Sequence, residues 1–251
     1  MYKNYIFDLY GTLLDIRTDE EMESLWSQMA AFYSFNGAVY NAGEFKEKFS
    51  GYCADEEKTV SRLHPEYAKI DIVIDQAFKR LYCEKGIKPT DELVKVSAKL
   101  FRCLSTTMQA KPYDGVLEFF DELHKRGKKI FLLSNAQSSF TVPELKLSGL
   151  YDKFDGILIS SEELCRKPDP AFYQKLFDRY KLKKSESIMI GNDESSDIKG
   201  ANDFGIDSLY IHTKISPPLN GALPDCKYVV FDGEEENGDF RKIVKLILKQ
   251  I

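Results

Sequence analysis

Long apolar runs are missing from this chain of 251 residues; the longest cover only a few positions, against the ~20 needed to cross a bilayer, so no membrane partner is expected. Basic runs are missing too, and a net charge of −5 argues against nucleic acid as the main partner. The three histidines, His64, His124 and His212, form no spacing pattern. The five cysteines, Cys53, Cys83, Cys103, Cys165 and Cys226, stand singly without a C-x-x-C pair. That spacing supports neither a zinc site nor a disulfide framework, and predicts reduced thiols in or near cores. The N-terminus enters a strand-like run directly, without the basic, apolar and cleavable series of an export signal, which predicts a cytoplasmic protein. A small molecule is the expected partner, with the chain acting as a monomer or a homodimer.

What is present is the balance of a folded domain, 43% hydrophobic and 30% charged, on a chain long enough for one large core or a core carrying a substantial insertion. "YIFDL" near the N-terminus reads as a buried strand running into a Gly-Thr turn. From about residue 16 to about 110 the texture is helical, with apolar residues at three- and four-residue spacing such as Met22, Leu25, Trp26, Met29 and Phe32, and no strand is predicted there. Trp26, Phe32, Tyr33 and Phe35 are expected in the core of that helical part.

From residue 111 onward strands and helices alternate: "KKIFLLSN", "FDGILIS", "SIMIGND", "SLYIH" and "KYVVF" as strands, with a helix near Val116 to Arg126, another from Pro170, and a closing amphipathic helix at "FRKIVKLILKQI". The predicted fold is α/β: a three-layer core with a mostly parallel sheet made from residues 1–15 and 111–251, interrupted by an all-helical domain over residues 16–110.

In an open parallel sheet, ligands sit outside the carboxyl ends of the strands. Those ends collect Asp8, Tyr10 and Thr12, then Ser134 and Asn135, then Lys167, and finally Asn192, Asp193 and Asp197. Acids crowded at one edge repel unless a cation sits among them, and hard oxygen donors from Asp8, Asp193 and Asp197 suit Mg²⁺. A cation there screens the approach of the Asp8 carboxylate, as nucleophile, to an anionic substrate. Thr12, Ser134, Asn135 and Lys167 would supply hydrogen bonds and charge to the transferring group.

The motifs "FDLYGTLLD", "LLSNAQ", "CRKPDPAFY" and "IGNDESSDIKGANDFGI", in that order, resemble the haloacid dehalogenase-like hydrolases, in the subgroup with a helical cap inserted after the first motif. The resemblance implies a Rossmann-like core, an Asp8 nucleophile, a Ser134 that senses phosphate, and a Lys167 that steadies nucleophile and substrate. It also implies a Mg²⁺ held by Asp8, the main-chain carbonyl of Tyr10 and an acid of the fourth motif.

Two departures from the family's phosphatases matter. Tyr10 occupies the place of their general acid, whose help is typically worth ~10² to 10⁴ in rate, and a phenol is a poor base near neutrality. Asn192 occupies the place of their first fourth-motif acid, leaving Asp193 and Asp197 as the acid pair. Tyr10 is similar instead to the family's 2-haloacid dehalogenases, which expel halide without a proton and without a metal, and Tyr173 matches a position they use. Their early cap arginine has no counterpart, since no arginine lies between Arg17 and Arg62. The leading expectation is a Mg²⁺-dependent phosphatase of a small phosphorylated metabolite. A metal-independent 2-haloacid dehalogenase and a non-catalytic binder of a phosphorylated ligand are the alternatives.

Overall fold

The computed structural model describes residues 2–219 and 224–231; the closing helix expected at "FRKIVKLILKQI" lies outside them. Six strands form one sheet: β1 (Asn4–Phe7), β4 (Lys129–Ser134), β5 (Gly156–Ile159), β6 (Ser187–Gly191), β7 (Asp207–His212) and β8 (Tyr228–Phe231). Their order is β5-β4-β1-β6-β7-β8, and every neighbouring pair is parallel. As predicted, β1 is interior, with Phe7 paired to Leu132 on one side and Ile190 on the other.

The period of two explains how four residues hold that place. Tyr5 and Phe7 face one cluster, which contains Phe119, Phe120 and Leu123 of helix α5 (Val116–Lys125) and Leu145 of α6 (Ser138–Leu147). Ile6 faces the other, with Phe172, Tyr173 and Leu176 of α8 (Pro170–Tyr180) and Ala201 of α9 (Lys199–Phe204). Helices therefore cover both faces, and the chain forms the expected three layers.

Between β1 and α5 the chain leaves the sheet and builds four helices: α1 (Glu23–Phe35), α2 (Ala42–Leu63), α3 (Asp75–Glu84) and α4 (Asp91–Ser105). Asn41 and Thr90 cap α2 and α4 by accepting from the Glu44 and Leu93 amides. These helices share a cluster rich in aromatics, with Tyr33 stacked on Tyr82 at 4.1 Å and Trp26 edge-on to Phe101. Trp26 and Tyr33 lie in that cluster as expected and Phe32 packs against it, but Phe35 is exposed at the end of α1. Phe140 of α6 also enters the cluster, stacking on Phe101, so the helical insertion and the sheet layer share side chains.

One expectation is corrected. Residues 16–110 are not purely helical: β2 (Leu14–Thr18) and β3 (Thr106–Pro112) pair antiparallel where the chain leaves and re-enters the core. The local pattern does not announce them, because β3 is an edge strand whose half-buried and exposed residues simply alternate, with too few large apolar side chains to register as a strand. Beyond the ribbon, the Asp19 amide donates to the Ser105 carbonyl at 2.7 Å. The five cysteines are free thiols, as expected; Cys165 is buried and Cys53 and Cys226 are half-buried, whereas Cys83 and Cys103 are exposed and depart from the expected place in or near a core.

The α2–α3 connection is stitched onto loops of the core. Asp169 accepts from the Ala68 and Lys69 amides at 2.6 and 3.0 Å, and Gln137 accepts from the Ile74 amide at 3.0 Å. Ser160 and Ser139 donate to Asp71 and Asp75. Among the described residues no helix is long and apolar enough to cross a membrane.

Candidate active site

Three strand ends in the middle of the sheet aim at one point. Asp8 follows β1 directly and is fixed there by its amide, which donates to the Ile190 carbonyl at 2.9 Å. Gly11, at φ +81°, turns the chain back in a conformation that favours glycine, and an added Cβ would stand 2.2 Å from the Asn192 amide nitrogen. The Thr12 hydroxyl thereby lies 3.0 Å from Asp8 Oδ2 and 3.1 Å from Asn192 Oδ1, a single donor facing two oxygens.

Lys167 is the buried cation of the site. Its ammonium donates to Asp8 Oδ1 and Asp197 Oδ1, both at 2.7 Å. Asn135 holds its main chain from both sides, accepting from the Lys167 amide at 2.8 Å and donating to the Lys167 carbonyl at 2.9 Å. Burial pushes the Asp197 carboxyl well above the ordinary carboxylate range and the charge of Asp8 adds to this, while Lys167 pulls it back. Gly191 makes room for Asp197, since a Cβ there would stand 2.2 Å from its Oδ2.

The expected site residues are distributed as follows. Asp8, Tyr10, Asn135, Lys167, Asn192, Asp193 and Asp197 line one cavity of 230 Å³, together with Ser196, Ile215 and Pro217. That is below the ~300–1,000 Å³ of drug-sized sites, so the cavity suits a small polar group. Thr12 stands behind it. Ser134 ends β4 beside Asn135, and its hydroxyl is buried with no hydrogen-bond partner among the described residues, which suits a donor meant for a ligand oxygen. Asp193 lines the cavity, yet its carboxylate caps the following turn, accepting from the Ser195 amide at 2.8 Å and the Ser196 hydroxyl at 2.9 Å. Tyr173 stays behind the cavity, donating to the Asp197 carbonyl at 3.0 Å.

Tyr10 turns its phenol away from this group. The hydroxyl donates to Glu144 and lies 3.1 Å from the Thr141 hydroxyl, both on α6. Arg102 of α4 grips the same Glu144 with two bonds, at 2.6 and 3.2 Å, and its guanidinium stands 5.2 Å from the centre of the Tyr10 ring. Burial and the Glu144 charge hold the Tyr10 phenol far above its ordinary pKa.

Sequence reasoning missed Arg102, Glu144, Thr141, and the segment after β7. For the first three no local signal exists, since only the fold brings them to Tyr10. The last was findable by the strand-end rule already in use: Thr213 follows β7 and donates to the Gly11 carbonyl at 2.6 Å, while Ser216 accepts from Asn192 at 3.3 Å.

Among the described residues no three acidic, histidine or cysteine side chains converge as a ready metal cage. The donor chemistry nevertheless fits one hard cation: the Thr12 contacts bring Asp8 Oδ2 and the neutral Asn192 Oδ1 together, with Asp193 on the same cavity wall.

Such a sheet, with a polar cavity at its carboxyl edge, is a Rossmann-like α/β enzyme core. The chain belongs to the haloacid dehalogenase-like hydrolases, whose profile matches residues 2–205. It is 33% identical to the pyrophosphatase PpaX of Halalkalibacterium halodurans, over 82% of this chain and 81% of that protein. It is also 23% identical to the (S)-2-haloacid dehalogenase 4A of Burkholderia cepacia, over 85% of this chain and 84% of that one. In three dimensions it is similar to the putative HAD-hydrolase YfnB of Bacillus subtilis, solved bound to magnesium, with a TM-score of 0.55, 15% identity, and coverage of 98% of this chain and 99% of that chain. Relatives of both chemistries thus surround one fold.

Proposed function

We propose that the chain hydrolyses a small phosphate ester through a covalent intermediate on Asp8, beneath a helical cap formed by residues 16–110. The observation that carries this reading is the charge imbalance of the cavity: among the described residues, Asp8, Asp193 and Asp197 face it against one ammonium, that of Lys167. Even with the Asp197 carboxyl raised by burial and not counted as a full charge, the carboxylates outweigh the ammonium, which makes the cavity a poor receptor for any anion until a divalent cation offsets the excess. Asp8, Asn192 and Asp193, with the Tyr10 carbonyl, are the proposed holders of Mg²⁺. When bound, Mg²⁺ would screen the phosphoryl oxygens from the attacking carboxylate.

The steps for this chain's own residues follow. Lys167 and Thr12 hold the Asp8 carboxylate in line. An oxygen of Asp8 forms a bond to phosphorus as the ester P–O bond breaks and the leaving oxygen departs with the electron pair. Ser134 and Lys167 donate to the phosphoryl oxygens. Water then cleaves the aspartyl phosphate, restoring Asp8 and releasing phosphate. Tyr10, committed to Glu144, does not protonate the leaving oxygen, so the substrate is one whose leaving group departs readily, such as an aryl or acyl phosphate.

A second reading, dehalogenation of a 2-haloacid, is favoured by that same commitment of Tyr10, because halide needs no proton. Against it, Arg102, whose guanidinium stands 5.2 Å from the centre of the Tyr10 ring, is neutralised by Glu144 and offers no free charge to a halide. The deciding experiment is turnover of aryl phosphates and 2-chloropropionate, each with Mg²⁺ and with chelator. Phosphate release that requires Mg²⁺ supports the proposal. Halide release that persists in chelator replaces it with the second reading. Binding of phosphate esters without turnover of either class makes the protein a ligand-binding member of the family.

A further inference from the structure

The Arg102–Glu144 pair bridges the helical insertion and the core, and it ends on Tyr10. Arg102 sits in the last turn of α4, just before the chain returns through β3. Glu144 lies on α6, which follows the strand carrying Ser134. Their side chains are only 17% and 13% exposed, so both charges are largely desolvated. A buried ion pair of this kind is weak evidence for stability, since well-packed apolar residues often do as well; what it does supply is fixed geometry, through two directed bonds. What it fixes is the Tyr10 ring, held by its hydroxyl on Glu144 and Thr141, with the Arg102 guanidinium near its face.

Tyr10 is two residues from Asp8, in a loop with four internal hydrogen bonds: the Gly11 amide to the Leu14 carbonyl at 2.8 Å, and the Thr12, Leu13 and Leu14 amides to the Leu9 carbonyl at 3.3, 2.8 and 2.9 Å. A ring anchored at one end of so tight a loop sets where the main chain on either side points.

We propose that Arg102 is a positioning residue: acting through Glu144 and Tyr10, it ties the docking of the helical insertion to the geometry of the loop that presents Asp8. The catalytic consequence rests on the reading of Asp8 as nucleophile; the physical coupling does not. With the insertion docked, Glu144 is held from both sides; once Arg102 withdraws, Glu144 loses its bidentate partner and the Tyr10 ring loses the guanidinium at its face, so the loop is left tied to a less firmly held carboxylate.

The test is amide hydrogen exchange, read by mass spectrometry on the full chain, at residues 9–14 for Arg102→Lys, Glu144→Gln, Tyr10→Phe and the double variant Arg102→Lys/Tyr10→Phe. Lysine keeps the charge but cannot form the paired bonds. Each single variant is expected to accelerate exchange in this loop about tenfold, with β4 and β6 unchanged. The double variant is expected to go no further than Tyr10→Phe alone, because both changes cut the same chain of contacts. Unchanged exchange in the loop for Arg102→Lys and Glu144→Gln would overturn the proposal. So would equal acceleration across the sheet, the mark of a merely structural pair, or multiplied effects in the double variant. Glu144→Gln decides the matter if Arg102→Lys does not fold. Turnover of p-nitrophenyl phosphate by the unaltered chain, measured in parallel, tests the functional reading separately; its absence would remove the nucleophile while leaving the exchange result to judge the coupling.

Discussion

The ammonium of Lys167 lies 2.7 Å from Oδ1 of Asp197, and each of these side chains is 1% exposed. Charges so far from water persist only because each neutralises the other and Asp8 shares the cation. The core is therefore stable at this point only as a set.

Replacing the cation should reveal this. Lys167→Met leaves Asp8 and Asp197 facing each other without compensation, and a broken buried pair typically costs ~3–5 kcal/mol. Urea unfolding at pH 7 is expected to show a loss of that order, and turnover should fall to background. Asp197→Asn, which leaves Lys167 its bond to Asp8, is expected to cost clearly less stability.

Gly191 offers a steric counterpart. Its added Cβ would meet Asp197 Cγ at 2.3 Å as well as Oδ2, at the end of a strand paired on both sides. Gly191→Ala should destabilise by ~1–3 kcal/mol, as overpacking does. It should also depress turnover by more than the loss of folded protein explains, measured as kcat per folded molecule.

The pH dependence of stability has a marker at Asp71, where the insertion meets the core. Burial raises its carboxyl pKa above the ordinary ~3.9, outweighing the hydrogen bonds from Ser160, Ile72 and Gln137 that lower it. In this window the folded state holds more protons than the unfolded one, so stability falls as pH rises from about 3.9 to the folded value and is flat above it. Asp71→Asn should flatten that slope in urea titrations at stepped pH. An unaltered slope would show that Asp71 does not titrate in the fold as described.

Tyr10→Asp addresses the leaving group. The gap between aryl and alkyl phosphate turnover should narrow, because general acid help matters most for poor leaving groups. Stability should fall at the same time, since Glu144 loses its phenol partner. Equal chemical-step rates for aryl and alkyl phosphates in the unaltered chain would remove the stated reason for a tyrosine at this position.

How much of this was readable in the chain follows from the range of the forces involved. The parallel sheet with β1 inside it was legible, because "YIFDL" and the strands after residue 111 carry enough apolar side chains to declare themselves. The strand-end rule likewise gathered Asp8, Asn135, Lys167, Asn192 and Asp197, which line one cavity. The ribbon of β2 and β3 was not legible, because its register depends on two segments almost ninety residues apart finding each other. Nor was the bond from Glu144 to Tyr10, for which residue type gives no hint of a partner 134 positions away. Local pattern announces elements and their ends; side-chain partners across the molecule are set by the fold.

The paired ribbon also bears on how such a molecule diversifies. Because the chain departs at Thr18 and returns at Thr106 side by side, what lies between is a closed excursion. Its length and content can change while the register of β1 against Leu132 and Ile190 stays as it is. Any excursion of another length would have only to re-establish the contacts that Gln137, Phe140, Glu144, Ser160 and Asp169 of the core now make with this one.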